Sequence, residues 1–156
     1  MSEMNFYTAN AGLAGVEKLE VAELALMYRI EMAGELFYNM LADRVNNAEA
    51  ADLLRKNAVE EKGHARRLAR AISIKLGHEW APTPEEEVLL DVPLPDAIDA
   101  NIFAGVVKGE INGDASYQKW ADAETDPEVE RLLRLNGREE TIHANRAQQV
   151  FELLSA

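Results

Sequence analysis

Two Glu-x-x-His pairs, Glu61 with His64 and Glu140 with His143, carry the clearest chemical potential in this sequence. On a helix, residues three apart lie about 60° apart around the axis and one turn along it, so each pair offers a carboxylate and an imidazole to one point. Each pair is therefore a half-site for a cation. Two further glutamates, Glu31 and Glu110, bring the set to four carboxylates and two imidazoles. That donor set suits iron, with manganese as the competitor, because soft cations prefer thiolates and zinc sites have fewer ligands. The chain has no Cys, which excludes disulfides, thiolate metal sites, iron–sulfur clusters and a Cys nucleophile.

The elements that must hold these residues follow from apolar periodicity and punctuation. Four of the five prolines, Pro82, Pro84, Pro93 and Pro95, mark one long connection between two halves. Before it, helical spacing of apolar residues runs from about Val16 to Val45. Asn46 and Asn47 break the pattern, and a second helix runs from about Ala48 to Leu76, stopped by Gly77. After the connection a third helix is expected from about Asp96 to Ala123. Thr125-Asp126-Pro127-Glu128 reads as a turn with Pro at the first position of a fourth helix ending near Leu154. Four long helices with two short turns and one crossover, about 77–96, give an all-α, ferritin-like four-helix bundle of two hairpins. The whole chain, 1–156, reads as one domain.

An internal repeat supports the pairing of the halves. A shift of 79 residues lays Glu31 on Glu110, Gly34 on Gly113, Tyr38 on Tyr117, Asn57 on Asn136, Glu60-Glu61 on Glu139-Glu140, His64 on His143 and Arg67 on Arg146, without a gap across about 27–67 and 106–146. Glu31 and Glu61 lie nearly equidistant from the first hairpin turn, so they sit level across it. Glu110 and Glu140 repeat that register, and packing the hairpins brings all six groups to one depth. The glutamates also fall on the apolar stripes, in line with Met27, Leu41, Leu54 and Leu68 on the first hairpin and with Val106 and Leu133 on the second. Four buried carboxylates without compensation are prohibitively unfavourable. Two divalent cations balance four carboxylates and two neutral imidazoles. The alternative, a metal-free Glu–His network that fixes bundle register, would require the repetition of both complete half-sites to be accidental.

With those residues in hand, the sequence resembles the ferritin-like di-iron carboxylate proteins, most closely the rubrerythrin-like branch. The resemblance rests on Glu31 with Tyr38 seven residues on, EEKGHA at 60–65, Glu110 with Tyr117 seven residues on, and EETIHA at 139–144, and it spans about 16–154. It implies that Glu61 and Glu140 bridge two iron ions, that Glu31 with His64 caps one and that Glu110 with His143 caps the other. It implies further that Tyr38 and Tyr117 hydrogen-bond to ligand carboxylates; on residue type alone they could equally be core aromatics. Members that reduce peroxide carry a rubredoxin domain with four Cys and an extra Glu three residues after the third-helix ligand. Here no Cys exists and Gly113 takes that position.

Several neighbours have more than one reading. Gly34 and Gly113 either leave space above the metals for a small oxidant or permit close helix approach. Glu35 and Asp114 are acceptors for the imidazole N–H groups, extra ligands, an iron entry route or surface charges. Asn57 and Asn136 either orient Glu61 and Glu140 or fill the interior, while Arg67 and Arg146 read as flanking salt-bridge partners. His78 has no repeat partner and stays outside the site, and Glu85 to Val88 reads as a solvated acidic stretch.

Composition bounds the function. With 47% hydrophobic residues and a net charge of −12, the chain can bury a sizeable core and is a poor partner for nucleic acid, whose recognition needs clustered Lys and Arg. No leader pattern or apolar run of membrane length occurs, so a cytoplasmic protein is expected. The expected activity is that of a di-iron oxidoreductase: a reduced centre reacting with hydrogen peroxide or dioxygen, electrons arriving from an external donor protein, and the chain forming a homodimer. Ferroxidase chemistry with iron handling and storage, which needs a shell of many subunits, is the alternative.

Overall fold

A computed structural model describes residues 4–156; residues 1–3, the start of the segment read above for a leader, lie outside the described residues. Among the described residues six helices follow one another: α1 (Phe6–Leu13), α2 (Val21–Arg44), α3 (Ala48–Leu76), α4 (Pro84–Glu87), α5 (Ala100–Asp122) and α6 (Pro127–Ser155). The long ones, α2, α3, α5 and α6, form the bundle.

Local chemistry sets their ends. The Asn47 side chain accepts from the Ala50 N–H at 2.9 Å, and Gly77 closes α3 with a left-handed φ of 75°, a conformation cheap only for glycine. Asp126 accepts from the N–H groups of Glu128 and Val129, directly before Pro127 at the first helical position. The expected second and fourth helices thus appear where punctuation placed them. The first long helix starts at Val21 rather than Val16, because the Val16 carbonyl accepts the Trp120 indole N–H at 2.7 Å instead of opening a helical ladder. The third starts at Ala100 rather than Asp96, since the capping carboxylate is that of Asp99, which accepts from Asn101 N–H. Glu85 to Glu87 are solvated as read, but Thr83 organises them into the single turn α4.

Packing follows the repeat. Helix α2 packs along α3 and α5 along α6, and the hairpins meet through α3 and α6. One surface bridge closes each hairpin at equivalent positions of the repeat: Arg55 on α3 to Asp43 on α2, and Arg134 on α6 to Asp122 on α5, both at 2.8 Å. Between α2 and α5 no Cα pair of the described residues comes within 8 Å, so the bundle is splayed on that side. Helix α1, absent from the sequence expectation, lies against α2 beside this gap. It is tied to the crossover by Phe6 N–H to the Asp91 carbonyl (2.9 Å) and by the Tyr7 hydroxyl to the Pro93 carbonyl (2.7 Å). Among the described residues no helix is long and apolar enough to cross a membrane.

Candidate dimetal centre

The repeat becomes a near two-fold arrangement at mid-bundle. Glu31 on α2, Glu61 and His64 on α3, and Glu140 and His143 on α6 are all buried; Glu110 on α5 is half-buried. Their donor atoms fall into two overlapping clusters, Glu31–Glu61–His64–Glu140 and Glu61–Glu110–Glu140–His143, each with its atoms within 4.8 Å of one another. All six sequence-derived candidates are therefore brought together, and Glu61 and Glu140 belong to both clusters.

The imidazoles stack with centroids 5.2 Å apart and an interplanar angle of 17°. Each turns Nδ1 inward and Nε2 outward. His64 Nδ1 lies 3.1 Å from Glu31 Oε2, 3.2 Å from Glu61 Oε1 and 3.0 Å from Glu140 Oε1. His143 Nδ1 lies 3.0 Å from Glu61 Oε1 and 3.5 Å from Glu110 Oε2. Close as they are, Glu61 Oε1, Glu110 Oε2, Glu140 Oε1 and His143 Nδ1 have no hydrogen-bond partner, because they aim at common points and not along one another's donor directions. Buried polar atoms without partners are rare and costly. Convergence of such atoms fits a pair of divalent cations.

Outward of the rings, contacts cross between hairpins. His64 Nε2 meets Glu139 Oε1 at 2.9 Å and His143 Nε2 meets Glu60 Oε1 at 3.0 Å. Arg67 donates to Glu139 at 2.7 Å and Arg146 to Glu60 at 2.8 Å; the same guanidinium groups reach the amide oxygens of Asn136 and Asn57. Those amides in turn donate, at 3.2 Å, to the backbone carbonyls of His64 and His143. Asn57 and Asn136 thus hold the histidine backbone of the opposite hairpin and do not orient Glu61 and Glu140. Arg67 and Arg146 are salt-bridge partners, as expected, but to glutamates that the sequence reading left without a role. The signal for Glu60 and Glu139 was present: both repeat at the 79-residue offset beside Glu61 and Glu140.

Asp114 and Glu35 do not receive the imidazole N–H groups. Asp114 accepts from Thr141 Oγ1 (2.5 Å) and Gln118 Nε2 (3.0 Å), and half-buried Glu35 has no hydrogen bond among the described residues. His78 lies exposed in the crossover. The tyrosines also bond across hairpins: Tyr38 Oη donates to Glu110 Oε1 and Tyr117 Oη to Glu31 Oε1, each at 2.9 Å. Gly34 and Gly113 give room to carboxylates of the centre, and Gly113 also lines the cavity in the α2–α5 gap. A Cβ at Gly34 would collide with Glu61 Oε2, and one at Gly113 would stand 2.9 Å from Glu140 Oε2. The glycines make room for the shared carboxylates of their own hairpins.

Without cations, protons must relieve the crowding. Burial and the nearby Glu61 charge raise the Glu31 carboxyl to about 7. Burial and the charges of Glu110, Glu61 and Glu31 push Glu140 well above the usual carboxylate range. Burial opposes protonation of His143, yet the facing carboxylates of Glu110 and Glu61 prevail and raise it to about 10. His64 is raised likewise, burial being outweighed by Glu139, Glu140, Glu31 and Glu61. Outside the ring, the His64 hydrogen bond, against burial and with help from Arg67, holds Glu139 down to about 2.

On the side away from the outward Nε2 atoms, the α2–α5 gap holds a cavity of about 550 Å³ that α1 and the crossover partly cover. Its lining includes Glu31, Glu61, Glu110 and Glu140.

Two antiparallel helical hairpins around a carboxylate–histidine cluster define the ferritin-like class of dimetal carboxylate proteins. A family model for rubrerythrin matches residues 23–151. The chain belongs to the rubrerythrin family. No curated protein and no solved structure gives a significant match.

Proposed function

We propose that the protein is a non-haem di-iron oxidoreductase in which the two clusters, sharing Glu61 and Glu140, hold a metal pair that is oxidised by hydrogen peroxide and re-reduced by an external electron-donor protein. The observation that carries this reading is the sharing itself: two donor sets with two carboxylates in common suit a pair of ions. Glu61 and Glu140 would be shared by the two ions, while Glu31 with His64 would hold one and Glu110 with His143 the other. A bound iron pair supplies two electrons and a template for both oxygens of a peroxide; manganese is the competing metal on donor chemistry.

The chain's own residues prepare that site. Glu139 and Glu60 accept the Nε2 protons and so leave each Nδ1 lone pair facing inward. Tyr38 and Tyr117 each hold one oxygen of Glu110 and Glu31 and leave the other oxygen to the centre. The apolar walls around the carboxylates lower the local dielectric and strengthen every interaction inside. These 156 residues contain no Cys and so offer no thiolate ligands for an iron–sulfur or rubredoxin group.

Stopped-flow mixing of protein loaded anaerobically with Fe(II) against hydrogen peroxide, and separately against air-saturated buffer, tests the proposal. Fast oxidation by peroxide and slow oxidation by air, with amplitude saturating at two irons per chain, is expected. Fast oxidation by air with continued turnover of excess Fe(II), from a many-subunit cage in gel filtration rather than a dimer, would replace it by ferroxidase chemistry.

A further inference from the structure

The cavity is far larger than hydrogen peroxide requires. Its 550 Å³ equals roughly eighteen times the share of liquid volume occupied by one water, and falls in the range of sites for organic ligands. Its polarity is graded. Among the described residues the glutamates of the centre are its only charged lining residues; beyond them the walls are mainly apolar, with Ile30, Phe37, Leu94, Val106 and Trp120 among them. Among the described residues no Lys, Arg or His lines it, so none of those side chains there neutralises an anionic ligand. The α5 wall includes Gly105 and Gly109, around whose Cβ positions no atom lies within 4 Å, so space remains open along that helix.

We infer that this cavity binds a neutral organic hydroperoxide, its apolar body against α1, α2 and α5 and its peroxide group at the four glutamates. The inference rests on the peroxide reading above and names a second substrate class for the same centre. The O–O bond breaks, and two protons and two electrons, one electron from each reduced iron and both restored by the external donor, convert ROOH to ROH and water. A fatty-acid hydroperoxide in its carboxylate form is disfavoured by the acidic cavity floor and by the lack of a cationic side chain among the described lining residues.

Cumene hydroperoxide and its product cumyl alcohol are the probes. The chain has two tryptophans, and Trp80 packs on Tyr28 (centroids 5.3 Å), outside the cavity lining. In a Trp80→Phe background Trp120 therefore reports alone. Cumyl alcohol added to the metal-free Trp80→Phe protein should change Trp120 emission saturably, and Gly105→Leu, which gains helix propensity while filling open space, should weaken that response. In the iron-loaded protein, Gly105→Leu should lower the ratio of the second-order rate constants for cumene hydroperoxide and hydrogen peroxide by about tenfold or more. No saturable emission change overturns the inference, including the case in which a second copy of the chain covers the cavity. Reaction with hydrogen peroxide but not with cumene hydroperoxide overturns it and leaves the peroxide reading standing. Saturable cumyl alcohol binding with no reaction toward either oxidant overturns both.

Discussion

The outward nitrogen of His64 rests 2.9 Å from a carboxylate of Glu139, a residue of the opposite hairpin. His143 and Glu60 repeat the contact in the other direction at 3.0 Å. Each hairpin therefore aims the imidazole of its partner, and the site cannot be assembled from one hairpin alone. Outer carboxylates that hold ligating histidines typically contribute 10–100-fold in metal affinity. Glu139→Ala should weaken metal binding by about that factor, Glu139→Gln by less because an amide oxygen still accepts the N–H, and Glu60→Ala should match Glu139→Ala. Isothermal titration with Fe(II) or Mn(II) measures all three.

Glycine at positions 34 and 113 creates room for the shared glutamates. Alanine adds up to about 1 kcal/mol of helix propensity at each position, while its methyl displaces a carboxylate end that can swing away. Gly34→Ala should therefore fold with a thermal midpoint close to that of the parent in the metal-free state, yet lose about tenfold or more in metal affinity. Gly113→Ala, with the less severe contact, should lose less. Calorimetry on metal-free and loaded samples separates the two effects.

Because Glu61 and Glu140 sit in both clusters, Glu61→Ala or Glu140→Ala should bind at most one metal per chain. Elemental analysis after gel filtration measures this, and two metals retained in either variant would contradict the bridging assignment.

Proton linkage supplies a fourth prediction. Glu31 and His143 have folded pKa values raised to about 7 and about 10, against ordinary values of 4.5 and 6.5. Between pH 5 and 10 the metal-free folded chain thus binds more protons than the unfolded one, and its stability should fall as pH rises through that window. The His143 contribution is fully present below about 6.5 and lost through about 10. Glu139, held down to about 2, is ionised in both states across this range and adds no slope. Metal binding must displace the extra protons, so affinity should rise with pH, and titration in buffers of different ionisation enthalpy should show proton release at pH 7.

The chemistry was more legible than the packing around it. Six ligand candidates could be found because carboxylates on apolar helix faces demand compensation and because a constant 79-residue offset repeated them. Glu60 and Glu139 carried the same repeat but were passed over: a charge beside a ligand reads as surface until the partner helix is placed, and their contacts are all to the other hairpin. For Glu35 and Asp114 the acceptor role was one reading among several, and in the structure neither receives an imidazole N–H: Asp114 accepts from Thr141 and Gln118 instead. Helix α1 was invisible for a related reason. Eight residues, Phe6–Leu13, are too few for periodicity to show, and its ties run to Asp91 and Pro93, more than 80 residues away. Val16 was drawn into the first long helix by its apolar type, whereas its carbonyl serves Trp120.

The most direct test of the central claim is anomalous diffraction at the iron edge from crystals of the Fe(II)-loaded protein. Two peaks per chain, about 3.5–4 Å apart, one beside Glu31 and His64 and the other beside Glu110 and His143, with Glu61 and Glu140 between them, are predicted. A single peak, or iron bound away from these six residues, would contradict the account.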